Sequence, residues 1–323
     1  MSPGRRDRLR SCVTLLFVTA TLSACAAPSQ IVATGSDVSA SGLGVTAASI
    51  SADPGPVPMA LLPGRITAAA EVAAARGATV TVAVLDRVTG ARTIGGANVP
   101  LETASVVKLF IADDLLFRER IGELLLTDDD HALIDVMLTS SDDYAASTLW
   151  DAYGGPEMVD RVADRHDLTG TVASDSSWWN TTTTASDLLT WYDDLLSGTG
   201  GLDETATTRI VGALMDFDDT GGDGYDQRFG LPDGLPDAIE PGMKAGWMCC
   251  IDDSWVHLST GFFGTDHRYV LAVLAKETVT YGEDDPEYGG WFLPDTSFYD
   301  AAEDASARHA RETVTLVVAD TLG

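Results

Sequence analysis

Three lysines stand against seventeen arginines in this chain: Lys108, Lys244 and Lys276. A guanidinium stays charged, whereas a buried amine can give up its proton, so a retained lysine marks work that arginine cannot do. Lys276 precedes Glu277 near the end of a strand-like run, which fits a surface ion pair. Lys108 closes Ser105-Val106-Val107-Lys108 at the start of a helical segment. Positions i and i+3 share a helix face, so hydroxyl and amine can meet. A serine hydroxyl attacks only when a base takes its proton, and a lysine of lowered pKa is such a base. The helix N-terminus also favours negative charge developing at Ser105.

Two further groups stand apart from ordinary surface polarity. Ser141-Asp142-Asp143 lies between two helical segments, where serine and aspartate also serve as helix N-caps. Lys244-Ala245-Gly246, followed by Trp247, opens the first strand-like run after the helical segments. Trp178-Trp179 reads as packing before it reads as a cleft wall. Asp216-Phe217-Asp218-Asp219-Thr220-Gly221 loosely matches the opening of a calcium loop, but Gln227 occupies the twelfth position, where a bidentate glutamate is needed. A solvated acidic loop is the preferred reading. The five histidines, His131, His166, His257, His267 and His309, show no metal-ligand spacing, and no motif calls for a cofactor.

The elements that must position these groups follow from periodicity. A helix is predicted at 65–76, stopped by Gly77, then strands at 78–85, where Val80, Val82 and Val84 alternate, and at 92–97. Helices follow at 105–117, 130–138, 143–152, 156–165, 186–196 and 204–215. Strands return at 243–251, 255–263 and 269–276, separated by the turn-like Asp252-Asp253-Ser254 and Gly264-Thr265-Asp266. A last helix is expected near 300–321. Short turns between the last three strands imply antiparallel pairing. The fold class is therefore mixed α/β (α+β): a five-stranded antiparallel sheet flanked by helices, with an all-helical subdomain inserted at about 103–204. Residues 61–323 form this domain.

Composition limits the partners. Of 323 residues, 45% are hydrophobic and the formal net charge is −29, which fits a globular body and opposes nucleic acid as a ligand. Arg5, Arg6, Arg8 and Arg10 precede an apolar run, residues 13–22, that is too short to span a bilayer and suits a signal peptide. Leu22-Ser23-Ala24-Cys25 resembles a lipobox, so residues 1–24 are expected to be removed and Cys25 to carry lipid. Arg5-Arg6 is a partial match to twin-arginine export. Residues 25–60, rich in Ala, Ser, Gly and Pro, read as a tether. The expected location is the outer face of the cell membrane, held there by the N-terminal lipid. Cys249 and Cys250 then remain, and since adjacent partners close only a strained ring, two buried free thiols are expected.

The order S-x-x-K, S-D-[ND], K-[TS]-G resembles the signature of serine β-lactamases and penicillin-binding proteins, across roughly residues 64–320. The resemblance implies a β-lactamase/transpeptidase-like fold, with Ser105 as acylated nucleophile and Lys108 as general base. It implies that Ser141 relays a proton beside Lys244, that Asp143 stands where asparagine is usual, and that Thr181-Thr182-Thr183 follows the omega-loop region. Ala245, Gly246 and Trp247 would border the substrate, with the N–H groups of Ser105 and Trp247 as oxyanion hole. The implied substrate is a small-molecule or peptidoglycan-like amide or ester. Three departures bear on turnover. No glutamate lies between Asp167 and Asn180, where only Asp167 and Asp175 are carboxylates. Ala245 lacks the hydroxyl that binds a β-lactam carboxylate, a bond worth about 1.5–3 kcal/mol. Asp143 adds a carboxylate that can pair with Lys108 and weaken it as a base. The expectation is a serine acyl-transfer enzyme with slow β-lactam turnover; the alternative is a cell-envelope binding lipoprotein on the same fold.

Overall fold

A computed structural model describes residues 58–285 and 304–323. The signal segment, Cys25 and the tether up to residue 57 lie outside the described residues, as do residues 300–303, where the last helix was expected to begin. Seven strands are present among the described residues: β1 (Ala78–Asp86), β2 (Ala91–Gly95), β3 (Leu101–Glu102), β4 (Thr182–Thr183), β5 (Gly242–Ile251), β6 (Ser254–Phe263) and β7 (Tyr269–Thr278). Five form one sheet in the order β2-β1-β7-β6-β5, and each neighbouring pair is antiparallel. The sheet expected from the sequence is this sheet.

Its central strands are covered on both faces. Val80, Val82 and Val84 pack with α1 (Leu62–Ala75) and the final helix, α9 (Ala305–Leu322). Ala83 and Leu85 instead join the core beneath the helical layer. Alternation along β1 thus sorts side chains between two cores rather than between core and water. Each Val or Leu so buried contributes about 1.5–3 kcal/mol.

The helical layer comprises α2 (Lys108–Arg120), α3 (Asp128–Thr139), α4 (Asp143–Tyr153), α5 (Pro156–Arg165), α6 (Ala185–Ser197) and α7 (Glu204–Met215). Helix α2 is buried without interruption from Lys108 to Leu116, because α3, α4, α5 and α7 surround it. Side-chain caps fix the neighbouring starts: Thr127 and Asp130 form a capping box on α3, Asp142 caps α4, and Thr184 caps α6.

Three details differ from expectation. The β3–β4 ladder and the one-turn α8 (Leu231–Gly234) carry too few residues for a periodic signal. Ser105 lies on a 3-10 turn, Ala104–Val107, just before α2, rather than in the α-helix. Lys276 pairs with Asp252 at 2.7 Å, whereas Glu277 turns to His309 at 2.5 Å. Successive residues on β7 point to opposite faces, so Lys276 and Glu277 share no partner.

Candidate active site

The 3-10 turn that carries Ser105 rests directly on β5, and Gly246 makes that possible. A Cβ at position 246 would lie 2.6 Å from the Thr103 carbonyl oxygen and 3.1 Å from Val106 Cγ2. The glycine of the Lys244-Ala245-Gly246 run therefore lets two backbones touch. Two non-glycine residues beside the site hold left-handed backbone: Ala104 at φ 44° and Ser141 at φ 55°. Each conformation costs about 1–2 kcal/mol, and such costs gather at functional sites. Ser141 in this geometry turns its carbonyl oxygen to Lys108 Nζ, which donates to it at 2.6 Å.

Four elements thus converge on two amines. Lys108 Nζ is 2.9 Å from Ser105 Oγ, 3.3 Å from Ser141 Oγ and 2.5 Å from Asp143 Oδ1. Lys244 Nζ donates to Ser141 Oγ at 2.7 Å and to the Ala245 carbonyl at 3.0 Å. Both lysines are buried, at 0% and 1% exposure, and Ser105 and Ser141 are buried with them. Burial pushes the Lys108 ammonium below the usual lysine range, against the pull of Asp143. Lys244 is pushed well below that range, first by burial and then by repulsion from Lys108. A neutral Lys108 amine has two donors and one lone pair. The donors meet the Ser141 carbonyl and the Asp143 carboxylate, and the lone pair is left to the Ser105 hydroxyl.

A cavity of about 450 Å³ opens in front of this cluster, lined by Ser105, Asp143, Trp178, Trp179, Asp223 and Trp247 among others. Of the residues expected to border substrate, Trp247 lines it. Ala245 packs in the core with α1 and α9, and Gly246 supports the Ser105 turn from behind. Ser141, Lys108 and Lys244 lie behind the wall. Asp167 and Asp175 are exposed and do not line the cavity. The paired tryptophans do form cavity wall, in addition to packing: their rings meet at 90° and 4.9 Å, and Lys108 Nζ sits 4.7 Å from the Trp178 ring centre.

Sequence reasoning passed over Asp223. The acidic loop read as solvated is tied to the site: Asp218 N donates to the Thr139 carbonyl at 3.0 Å and Gly222 N to the Ser140 carbonyl at 2.6 Å. Gln227, 2% exposed, donates its side-chain amide to the Thr139 carbonyl at 2.9 Å. The signal lay in Gly221-Gly222, glycines that an acidic surface loop does not need. A Cβ at Gly221 would come within 3.0 Å of the Trp247 ring.

The expectation of two buried free thiols is corrected. Cys249 and Cys250 are joined by a disulfide and are half-buried, with Cys249 in the cavity wall. They occupy the end of β5, where its register with β6 breaks between Met248 and Ile251. There the regular alternation that would send adjacent side chains to opposite faces is lost.

The profile described as the Beta-lactamase enzyme family matches residues 131–289, a span that holds Ser141, Asp143 and Lys244. Over 214 residues the chain is 50% identical to a Mycobacterium tuberculosis protein named "Putative lipoprotein LppW", covering 66% of this chain and 68% of that one. The chain belongs to the β-lactamase enzyme family. Solved β-lactamase-like structures share the fold: a β-lactamase from Xanthomonas campestris at 18% identity and TM-score 0.60, covering 82% of this chain and 97% of that chain. The structure of PBP-A is similar at 17% identity and TM-score 0.60, covering 83% of this chain and 96% of that one. The family profile begins after Ser105 and Lys108, so within the β-lactamase family it is the geometry above that bears on those two residues.

Proposed function

We propose that the protein is an exported, lipid-anchored serine acyl-transfer enzyme acting on an amide or ester, of peptidoglycan-like or other small-molecule type. The observation that carries this reading is the 2.9 Å approach of Lys108 Nζ to Ser105 Oγ, both buried, with Ser105 at a cavity wall. Ser105 Oγ bonds to the substrate carbonyl carbon while its proton passes to the Lys108 amine. The carbonyl oxygen gains negative charge, and the Ser105 and Trp247 N–H groups are assigned to it. As the C–N or C–O bond breaks, the proton reaches the leaving group through Ser141, which bridges both lysines. The relative named as a lipoprotein supports lipid attachment and membrane anchoring, and the lipobox-like Leu22-Ser23-Ala24-Cys25 is the basis for assigning the lipid to Cys25 and the domain to the outer face.

Deacylation needs a water and a base. Asp167 and Asp175 stand away from the cavity, and Asp143, the carboxylate beside Ser105, is engaged by Lys108. Asp223, the other carboxylate of the wall, is held by the Tyr225 N–H and Trp247 Nε1, and slow release of the acyl group is the expected outcome. A second reading, a binding lipoprotein with weakened chemistry, draws on the same Asp143 contact, which opposes deprotonation of Lys108. Intact-mass spectrometry of the full-length protein in detergent, with and without a penicillin and a neutral p-nitrophenyl ester, separates the two. A stable adduct that Ser105→Ala abolishes is the expected result. No mass added to either protein, with both reagents unconsumed, overturns the acyl-transfer reading in favour of the binding protein.

A further inference from the structure

The charges around the cavity are one-sided. Its wall holds the carboxylates of Asp143 and Asp223 and the indoles of Trp178, Trp179 and Trp247, with no arginine, lysine or histidine side chain among the described residues lining it. The two carboxylates are not equivalent. Asp143 is matched by Lys108 at 2.5 Å. Asp223 accepts from the Tyr225 backbone N–H at 2.9 Å and from Trp247 Nε1 at 3.0 Å, both neutral donors, and makes no ion pair among the described residues. A carboxylate offers about four acceptor positions, so those two bonds fix its direction and leave the rest for a ligand. Its anchor is itself fixed, since the Trp247 ring stacks on Tyr225 at 4.8 Å and 11°.

A carboxylate with no ion-pair partner among the described residues, oriented beside indole faces and felt only at longer range by Lys108 and Lys244 behind the wall, is the chemistry that holds an ammonium group. The same wall repels a substrate carboxylate. Resting on the acyl-transfer reading, we infer that the site selects acyl substrates bearing a positive charge, held at Asp223 and Trp247, over neutral and anionic ones. A net charge of −29 on the whole chain biases the approach of ligands in the same direction.

Three p-nitrophenyl esters of similar size test this: 4-(trimethylammonio)butanoate, 5,5-dimethylhexanoate and hydrogen glutarate. Ser105-dependent acylation rates of the full-length protein, each divided by the ester's spontaneous hydrolysis, should fall in the order cationic, neutral, anionic. The cationic ester should lead the anionic one by about tenfold at low ionic strength, and salt should narrow the gap. Asp223→Asn should bring the ratio towards one, and Asp223→Lys should invert it, with circular dichroism checking that both fold. Equal rates for all three esters, or a preference untouched by Asp223→Asn, overturns the inference and leaves acyl transfer standing. If no ester acylates Ser105, the acyl-transfer reading fails by itself. Binding then decides the charge question through tryptophan quenching by benzyltrimethylammonium against benzenesulfonate. Tighter binding of the cation that Asp223→Asn removes supports the inference; equal binding overturns it.

Discussion

Helix α2 joins two buried charge clusters that work in opposite ways. At its first position Lys108 faces Ser105, Ser141 and Asp143. About a turn and a half further on, Asp113 and Asp114, each 1% exposed, face guanidinium groups. Arg161 grips Asp114 through Nε at 2.8 Å and Nη2 at 2.7 Å. Arg165 Nη1 and Nη2 reach Asp113 at 3.2 and 3.1 Å, joined by Trp191 Nε1 at 2.8 Å and His166 Nε2 at 3.0 Å. Arginine cannot release its proton, so that cluster is locked as an ion pair and serves the fold. The lysine cluster contains amines that burial has made able to change state. Burial alone therefore says little about function; the chemistry of the buried cation separates a brace from a base.

Breaking each cluster should injure a different property. The largest effect falls on chemistry: Lys108→Met should slow acylation of Ser105 by about 10²–10⁴-fold, read by stopped-flow or mass spectrometry. Its urea midpoint should hold or rise, because Asp143, with a side chain 61% exposed, regains water. Next, Asp113→Ala should cost about 3–5 kcal/mol in urea unfolding by leaving the Arg165 charge without its carboxylate and His166 Nε2 and Trp191 Nε1 without an acceptor. Acylation per folded molecule should then match the unaltered protein. A loss of chemistry with no loss of stability there would collapse the distinction.

The smallest effect sharpens the comparison within the lysine cluster. Asp143 raises the Lys108 pKa against burial, which lowers it. Acylation needs the neutral amine, so its rate climbs as pH rises through that pKa. Asp143→Asn removes the raising influence, and the acid limb of the pH–rate profile should move to lower pH. A profile that stays in place would show that Lys108 does not set the limb.

Much of this is legible in the amino-acid sequence. Lysine scarcity together with Ser105, Ser141 and Lys244 in order located the cluster, and short turns after Ile251 and Phe263 declared the antiparallel strands. What was hidden depends on distant chain segments meeting. Asp223 looked like one acid among many because nothing local shows that Thr139, Ser140 and Trp247 fasten its loop. The disulfide was unreadable because it depends on where the β5–β6 register fails. The alternation in β1 was visible, yet that both its faces would be covered depended on helices near each end of the domain.

The pairing of β1 with β7 has a kinetic consequence. Val82 lies opposite Val273, so the sheet's middle closes a loop of about 190 residues. Helices α2 to α7 can form from local sequence while the chain is still growing. The sheet that seats Lys244 cannot, because β5, β6 and β7 are among the last segments synthesised. A nascent chain of this kind stays open until late, with its helical layer able to form before the strand that carries Lys244 is seated.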